Sequence, residues 1–479
     1  MKGRPCRGAA AAFAGVAAAA VLLASAGCAT YVASNVELRT LLAAGDWRRA
    51  LARVDAKPGG TDRLLELLQR GHVLHYAGEF EESNASFQQA EDLSAALYTR
   101  SVSQAAASLI VNDTTIDYRG KPHELAMVQF YRAFNYLSLG DADAAQVEAR
   151  KATLRLADAV EATLREIERP EDREDARGLR DSGFLHWFSG LLFEANGAAN
   201  DAFVAYRNAA RAYLANGALT GLAPPPQLGR DLERIGLQYG FRTEVEALQT
   251  AWPELFPEFE EIPASEGGGE VVFVLETGWV ATRDQVILNV PILDIDEKTY
   301  GSTDEWAREL VKRSAPGWSP GYDVEIEYWL TVAMPVMAPP ITGRVVGARI
   351  TAGGAEVASV PADDLSRRAE ATFEAERGQI LFKTLLRALV KYAATRTADH
   401  ENEIAGLIVN LLGVLSERAD TRSWLTLPDR LSVARLRLPA GRHELLVEYL
   451  DAAGAAVVSQ VEIVEVTDGG WLFLNRRPF

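Results

Sequence analysis

One register of small and aromatic residues recurs four times in the first half of the chain, and it constrains the fold more than any other feature. Gly71, Gly78, Phe80, Ser83, Phe87 and Ala90 define it, at offsets 0, 7, 9, 12, 16 and 19. Leu38, Gly45, Trp47, Ala50 and Val54 repeat it upstream. Ala133, Gly140, Ala142, Ala145, Ala149 and Ala152 repeat it downstream, followed by Gly190, Gly197, Ala199, Ala202, Tyr206 and Ala209. Such periodicity describes pairs of antiparallel helices, each joined by a tight turn. Gly45, Gly78, Gly140 and Gly197 supply the turns, while Gly71, Ala133 and Gly190 leave room for a neighbouring backbone. Phe87 and Tyr206, nine residues beyond their turns, are expected to wedge between hairpins.

This register resembles that of the tetratricopeptide repeat. The first two turns lie 33 residues apart, and the later gaps are 62 and 57 residues. The longer gaps imply intervening helices or divergent repeats, such as the amphipathic Leu156 to Ile167 stretch; a plain helical bundle would use the same helices with less curvature. Trp47, His72, Tyr76, Tyr131 and Trp187 are the candidate partner-binding residues of this surface. Beyond Pro224-Pro225-Pro226, one more helix from Leu228 to Trp252 is expected to cap the array. Prolines, glycines and a run of glutamates then mark a linker over 259–269.

From Glu270 the period changes. Val271 to Leu275, Gln285 to Val290, Val324 to Leu330, Arg344 to Thr351 and Ala355 to Val360 read as strands that stop near Pro361. A helical insertion at about 363–418 follows, opened by Asp363-Asp364, which suit the positive end of a helix. Within it, Ile404 to Leu415 is apolar but too short to span a bilayer. Strands return at Ser432 to Leu438, Glu444 to Leu450, Ala456 to Val466 and Trp471 to Asn475, and are expected to form an antiparallel sheet. The expected fold is therefore α+β and multidomain: an N-terminal tetratricopeptide-like α-solenoid over 28–258, then a β-sandwich-like antiparallel domain over 270–479 with a helical insertion.

The start of the chain has its own logic. Lys2, Arg4 and Arg7 precede an apolar stretch ending in Leu23-Ala24-Ser25-Ala26-Gly27-Cys28, which reads as a lipoprotein signal peptide over 1–27 with lipidation of Cys28. Ala29 after the cysteine favours transfer to the outer membrane, with the periplasmic face as the expected location. The segment holds three cations and no anion, so its removal takes the formal charge from −17 to −20. That balance excludes a nucleic-acid partner.

Enzyme signals lack context. Gly317-Trp318-Ser319-Pro320-Gly321 matches G-x-S-x-G, but a nucleophile elbow needs a preceding strand and a following helix, and proline flanks this serine. His72 and His75 could share a helical face, extended by Glu79, yet two ligands do not fill a tetrahedral metal site. No catalytic set, metal or cofactor is expected. Exposed Trp279, Trp318 or Trp329 could instead grip glycan or peptidoglycan. Asp420 and Arg422, beside Trp424, are expected to fix the return from helix to sheet.

Three stretches carry a family resemblance: Tyr118-Arg119-Gly120-Lys121-Pro122-His123-Glu124, the strand pair around Gly278, and Ala419-Asp420-Thr421-Arg422-Ser423-Trp424 with Leu427-Pro428. With them the chain resembles a family of uncharacterised bacterial outer-membrane lipoproteins, in which tetratricopeptide-like helices precede a β-rich end. The resemblance implies an envelope location, and its gene neighbourhoods imply a link to activators of penicillin-binding proteins. The expected function is a lipid-anchored envelope scaffold or adaptor that binds envelope protein partners in a complex serving cell-wall synthesis. The alternatives are a peptidoglycan-binding lipoprotein acting through the β domain and an export pilotin.

Overall fold

The computed structural model describes residues 31–56, 59–108, 113–167, 173, 177–256, 267–293, 326–401 and 419–479. The segment holding Cys28, most of the 259–269 linker, the Gly317 to Gly321 motif and the Ile404 to Leu415 run lie outside them. The described chain is mixed α+β, with eleven α-helices and ten strands.

The four register segments are four helix pairs: α1 (Val36–Ala43) with α2 (Trp47–Asp55), α3 (Arg63–Ala77) with α4 (Phe80–Ser108), α5 (Pro122–Ser138) with α6 (Ala142–Glu166), and α7 (Gly183–Ala195) with α8 (Ala199–Thr220). Each turns on its register glycine, with φ of 67°, 81°, 79° and 73° at Gly45, Gly78, Gly140 and Gly197. A residue with a Cβ is strained there, whereas glycine lets two N–H groups fold back onto the last helical carbonyls. Gly78 N–H donates to His75 and Glu79 N–H to Leu74, and the other three turns repeat this pair of bonds. The next helix is then started by the side chain of Asp46 or Asp141, which accepts from Arg49 or Ala144 N–H.

The role expected of Gly71 and Gly190 needs correction. A Cβ at Gly71 would sit 2.7 Å from the Phe87 ring, and one at Gly190 would sit 2.4 Å from the Tyr206 ring. The glycines thus admit an aromatic side chain from the second helix of their own hairpin, not a neighbouring backbone. In the α5–α6 hairpin Ala133 and Ala149 hold the same two offsets, both buried. The long gaps also have another cause than extra repeats: α4 and α6, one in each gap, run for 29 and 25 residues. Leu156 to Ile167 is largely the end of α6. The single capping helix expected over Leu228 to Trp252 is two, α9 (Pro226–Gln238) and α10 (Arg242–Ala251), parted at Gly240 with φ 87°.

The strands are β1 (Gly269–Thr277), β2 (Thr282–Leu293), β3 (Ile326–Ala338), β4 (Gly347–Ala352), β5 (Ala355–Ala358), β6 (Val360–Asp364), β7 (Arg430–Leu438), β8 (Gly441–Leu450), β9 (Ala456–Val466) and β10 (Trp471–Arg476). They form two four-stranded sheets, ordered β10-β1-β7-β6 and β5-β4-β8-β9, and a separate β2–β3 ribbon. The four C-terminal strands are therefore not one antiparallel sheet. Pro439 and Ala440 carry the chain from β7 in one sheet to β8 in the other, and β10 pairs parallel with β1. Nor do the strands stop at Pro361: β6 passes through it. As an edge strand with a register shift between Pro361 and Asp363, it tolerates the missing N–H. The long helix α11 (Leu365–Glu401) then begins as expected, its Asp364 carboxylate accepting from Arg367 N–H at 2.8 Å.

β1 is buried on both faces and fixes the layering. Val271, Phe273 and Leu275 face Ile350, Leu445 and Val447 of the second sheet. Val272 and Val274 join a core that runs through the helices from Leu64 to Leu255 and includes Trp424, Leu431 and Val433. The first sheet is thus a wall between the helices and the second sheet, and the helical and β residues share one core.

Candidate functional site

The ionisable and aromatic residues most suggestive of function converge where helices meet this wall. Glu276, at the end of β1, has no exposed surface. Its carboxylate accepts from Tyr76 of α3 at 2.6 Å, Tyr131 of α5 at 2.9 Å and Asn475 of β10 at 2.8 Å. Arg477, just past β10, lies 3.9 Å from the same carboxylate and donates to the carbonyls of Thr426 and Gly278, both at 2.7 Å. Its guanidinium stacks over Trp279 at 4.3 Å and Phe479 at 4.9 Å. Burial works against the charge of Arg477, and the oxygens of Tyr76, Glu276 and Tyr131 more than offset it, so its pKa is held above the usual value. Burial, reinforced by the Glu276 charge, pushes the Tyr76 and Tyr131 hydroxyls well above theirs.

His72 bonds through Nδ1 to Thr426 Oγ1 at 2.8 Å and through Nε2 to Tyr76 Oη at 3.1 Å. His75 bonds instead to Asn135 Oδ1 at 2.6 Å. The two histidines therefore serve different partners, and no cluster of three or more His, Cys, Asp or Glu residues able to hold a metal occurs among the described residues. Burial lowers the pKa of both, that of His72 well below the ordinary value with help from Arg477.

Four of the five candidate contact residues thus meet in one place: Trp47 stacks on Tyr76 at 6.1 Å, and His72 lies 4.3 Å from Tyr131 between ring centroids. They do not form an open partner surface. His72 and Tyr131 are buried, and Trp47 and Tyr76 are half-buried under Phe479. The reason is that the β part of the chain itself covers this face of the helices. Trp279 is likewise covered, between the guanidinium groups of Arg39 and Arg477.

Trp187 sits elsewhere, buried in a second node. Its Nε1–H donates to Asp231 at 3.0 Å, and Asp231 pairs with Arg435, which also binds Glu270 at 2.9 Å and lies over Trp471 at 4.5 Å. Burial opposes the Arg435 charge, but Asp231, Glu270 and Glu194 hold its pKa well above the usual value. This node ties α7 and α9 to β1 and β7. A third joins α5, β2 and α11: Glu376 pairs with Lys121 at 2.8 Å and with Arg283 at 2.6 Å. Burial alone would raise the Glu376 carboxyl; the two cations bring it down to about 2. Beside it, burial and the charges of Lys121, Arg283 and Arg368 push His123 down to about 3, and His123 Nδ1 has no hydrogen-bond partner among the described residues.

The Tyr118 to Glu124 and Ala419 to Trp424 stretches also come together here. Glu124 accepts from Tyr118 at 2.7 Å, from Lys121 N–H at 2.9 Å and from Trp424 N–H at 2.6 Å, so one buried carboxylate caps α5 and holds the 419–424 loop. Arg422 chelates Asp420 and reaches the Ile116 carbonyl at 2.8 Å, stacking over Tyr118. The sequence reading missed Glu276, Asp231, Arg435 and Arg477. The available signal was an acid directly after the apolar Val271 to Leu275 run, a place where an unpaired charge is costly.

No family model matches the chain, and no curated protein or solved structure matches it either. Among the described residues, no helix is long and apolar enough to cross a membrane.

Proposed function

We propose that the protein is a lipid-anchored scaffold or adaptor of the bacterial outer membrane, held through Cys28 and facing the periplasm, that recruits envelope proteins to a complex serving cell-wall synthesis. In this reading a tetratricopeptide-like solenoid and a β-sandwich-like part act together as one presenting body. The observation that carries it is the way ionisable groups are used at the junction. Glu276 and Arg477, Asp231 and Arg435, and Glu376, Lys121 and Arg283 are committed to one another across the contact of helices and strands. Such groups fasten a structure; they are not poised toward a substrate.

The contact surface then lies outside the junction. Val286, Ile287 and Leu288 on the ribbon, and Phe382, Leu385 and Val390 on α11, are large apolar residues that face outward. The test is in-cell crosslinking of the tagged full chain, followed by mass spectrometry of what comes with it. Specific envelope proteins are expected for the parent and are expected to be lost from the Ile287→Lys, Phe382→Glu variant. An unchanged set in the variant would refute this contact surface; an empty set for the parent, with Cys28 lipidation verified, would refute the adaptor itself.

A further inference from the structure

β9 is the outer strand of the β5-β4-β8-β9 sheet, and among the described residues no strand pairs with its free edge. It runs for eleven residues without lysine or proline, the residues that natural edges use to discourage pairing. Beside the edge the outer face is apolar. Val461 is 60% exposed and Ile463 56%, and Leu446 of β8 lies directly opposite Val461.

Acids of β8 and β9 other than the exposed Glu444 are paired with a cation or face one within the chain. Glu462 turns inward to a two-pronged pair with Arg476 at 2.6 and 2.7 Å, Glu448 pairs with Arg349, and Glu465 lies opposite Arg442.

We propose that the β9 edge joins a second copy of this chain, antiparallel about a two-fold axis through Val461, to make one continuous eight-stranded sheet. The sequence of β9 is self-complementary in that register. Val461 meets Val461, Ser459 of one copy meets Ile463 of the other, Val458 meets Val464, and Gln460 meets Glu462, so no acid opposes an acid. Moving the axis one residue toward the C-terminus would set Glu462 against Glu462, which like-charge repulsion disfavours. The seam then collects Leu446, Val461 and Ile463 from both copies. This association is independent of the adaptor reading, since it needs no other protein.

The experiment uses the full chain expressed in cells and treated with a short bis-maleimide. Val461→Cys is expected to give a crosslinked dimer, while Glu356→Cys on β5, the opposite edge of the same sheet, does not exceed the parent. In the purified full chain, Val461→Lys with Ile463→Lys is expected to halve the mass found by light scattering while leaving the circular dichroism unchanged. Both positions are mostly solvent-facing, so the fold tolerates the charges. A Val461→Cys yield no greater than that of Glu356→Cys, or a parent chain of monomer mass, would overturn the proposal.

Discussion

Gly190→Ala tests the mechanism by which each hairpin closes. Alanine in a helix interior gains about 1 kcal/mol over glycine in backbone entropy. Here, however, the new Cβ would lie 2.4 Å from the Tyr206 ring. That ring is fully buried and is held at its far end by a 2.7 Å hydrogen bond to Glu194, so it cannot swing clear. Overpacking of this kind costs about 1–3 kcal/mol, which leaves Gly190→Ala neutral to destabilising by about 2 kcal/mol. In a Tyr206→Ala background the obstruction is gone, and the same substitution should stabilise by roughly 1 kcal/mol. The arrangement is then that of Ala133 and Ala149 in the α5–α6 hairpin. The assay is a double-mutant cycle on urea midpoints followed by far-ultraviolet circular dichroism, with a coupling of about 1–3 kcal/mol expected. If Gly190→Ala stabilised both backgrounds equally, the glycine would be there for some reason other than the ring.

Arg477→Met should cost about 3–5 kcal/mol, because it leaves Glu276 buried without its cation; replacing Glu276 by Gln in the same chain should recover part of the lost melting temperature. Acid should destabilise the protein in two stages. His72, His75 and His123 have folded-state pKa values below 6.5, so the unfolded chain takes up their protons first and stability falls as pH drops below about 6.5. Glu376 adds to the loss as pH falls from its ordinary 4.5 toward about 2. His123→Phe should flatten the first stage by at most about 1.4 kcal/mol per pH unit in melting experiments, and an unchanged slope would exclude His123 as a contributor.

The hairpins were legible because a helical turn is a local event. Gly78 must take a left-handed backbone whatever packs against it, so its spacing from Gly45 survives in one dimension. The partition of strands was not legible, because it depends on long-range pairing. Nothing in Trp471 to Arg476 states that it will run parallel to β1, and nothing in Pro439 and Ala440 states that they bridge two sheets. The aromatic candidates show the same limit from the other side. Trp47, His72, Tyr76, Tyr131 and Trp187 stand out in the sequence as aromatic or imidazole side chains on the register helices, and the first four meet while Trp187 lies in another node. Whether that set faces solvent or sheet was decided by residues more than a hundred positions away, Glu276 and Arg477 among them.

The distribution of charge across the junction bears on why helices and sheet meet in one orientation. Apolar contact is non-directional, and alanine-rich helices offer a sheet many nearly equivalent seats. A buried carboxylate removes that freedom, since a seat that leaves it unpaired costs several kcal/mol. Glu276 near α3 and α5, Asp231 near α7 and α9, and Glu376 beside α5 and β2 are such points at well-separated places along the array. Each can be satisfied locally by a slightly shifted helix, but the three together define a single docking of the array on the sheet. Stability then comes chiefly from the shared apolar core, and the ionic nodes act on the choice among otherwise similar packings. Exchanging the Asp231 and Arg435 node for apolar residues of equal volume should therefore leave the melting temperature within a few degrees of the parent while broadening hydrogen-exchange protection in α7, α9 and β7. Uniformly retained protection after exchange of the Asp231 and Arg435 node would show that packing alone selects the orientation.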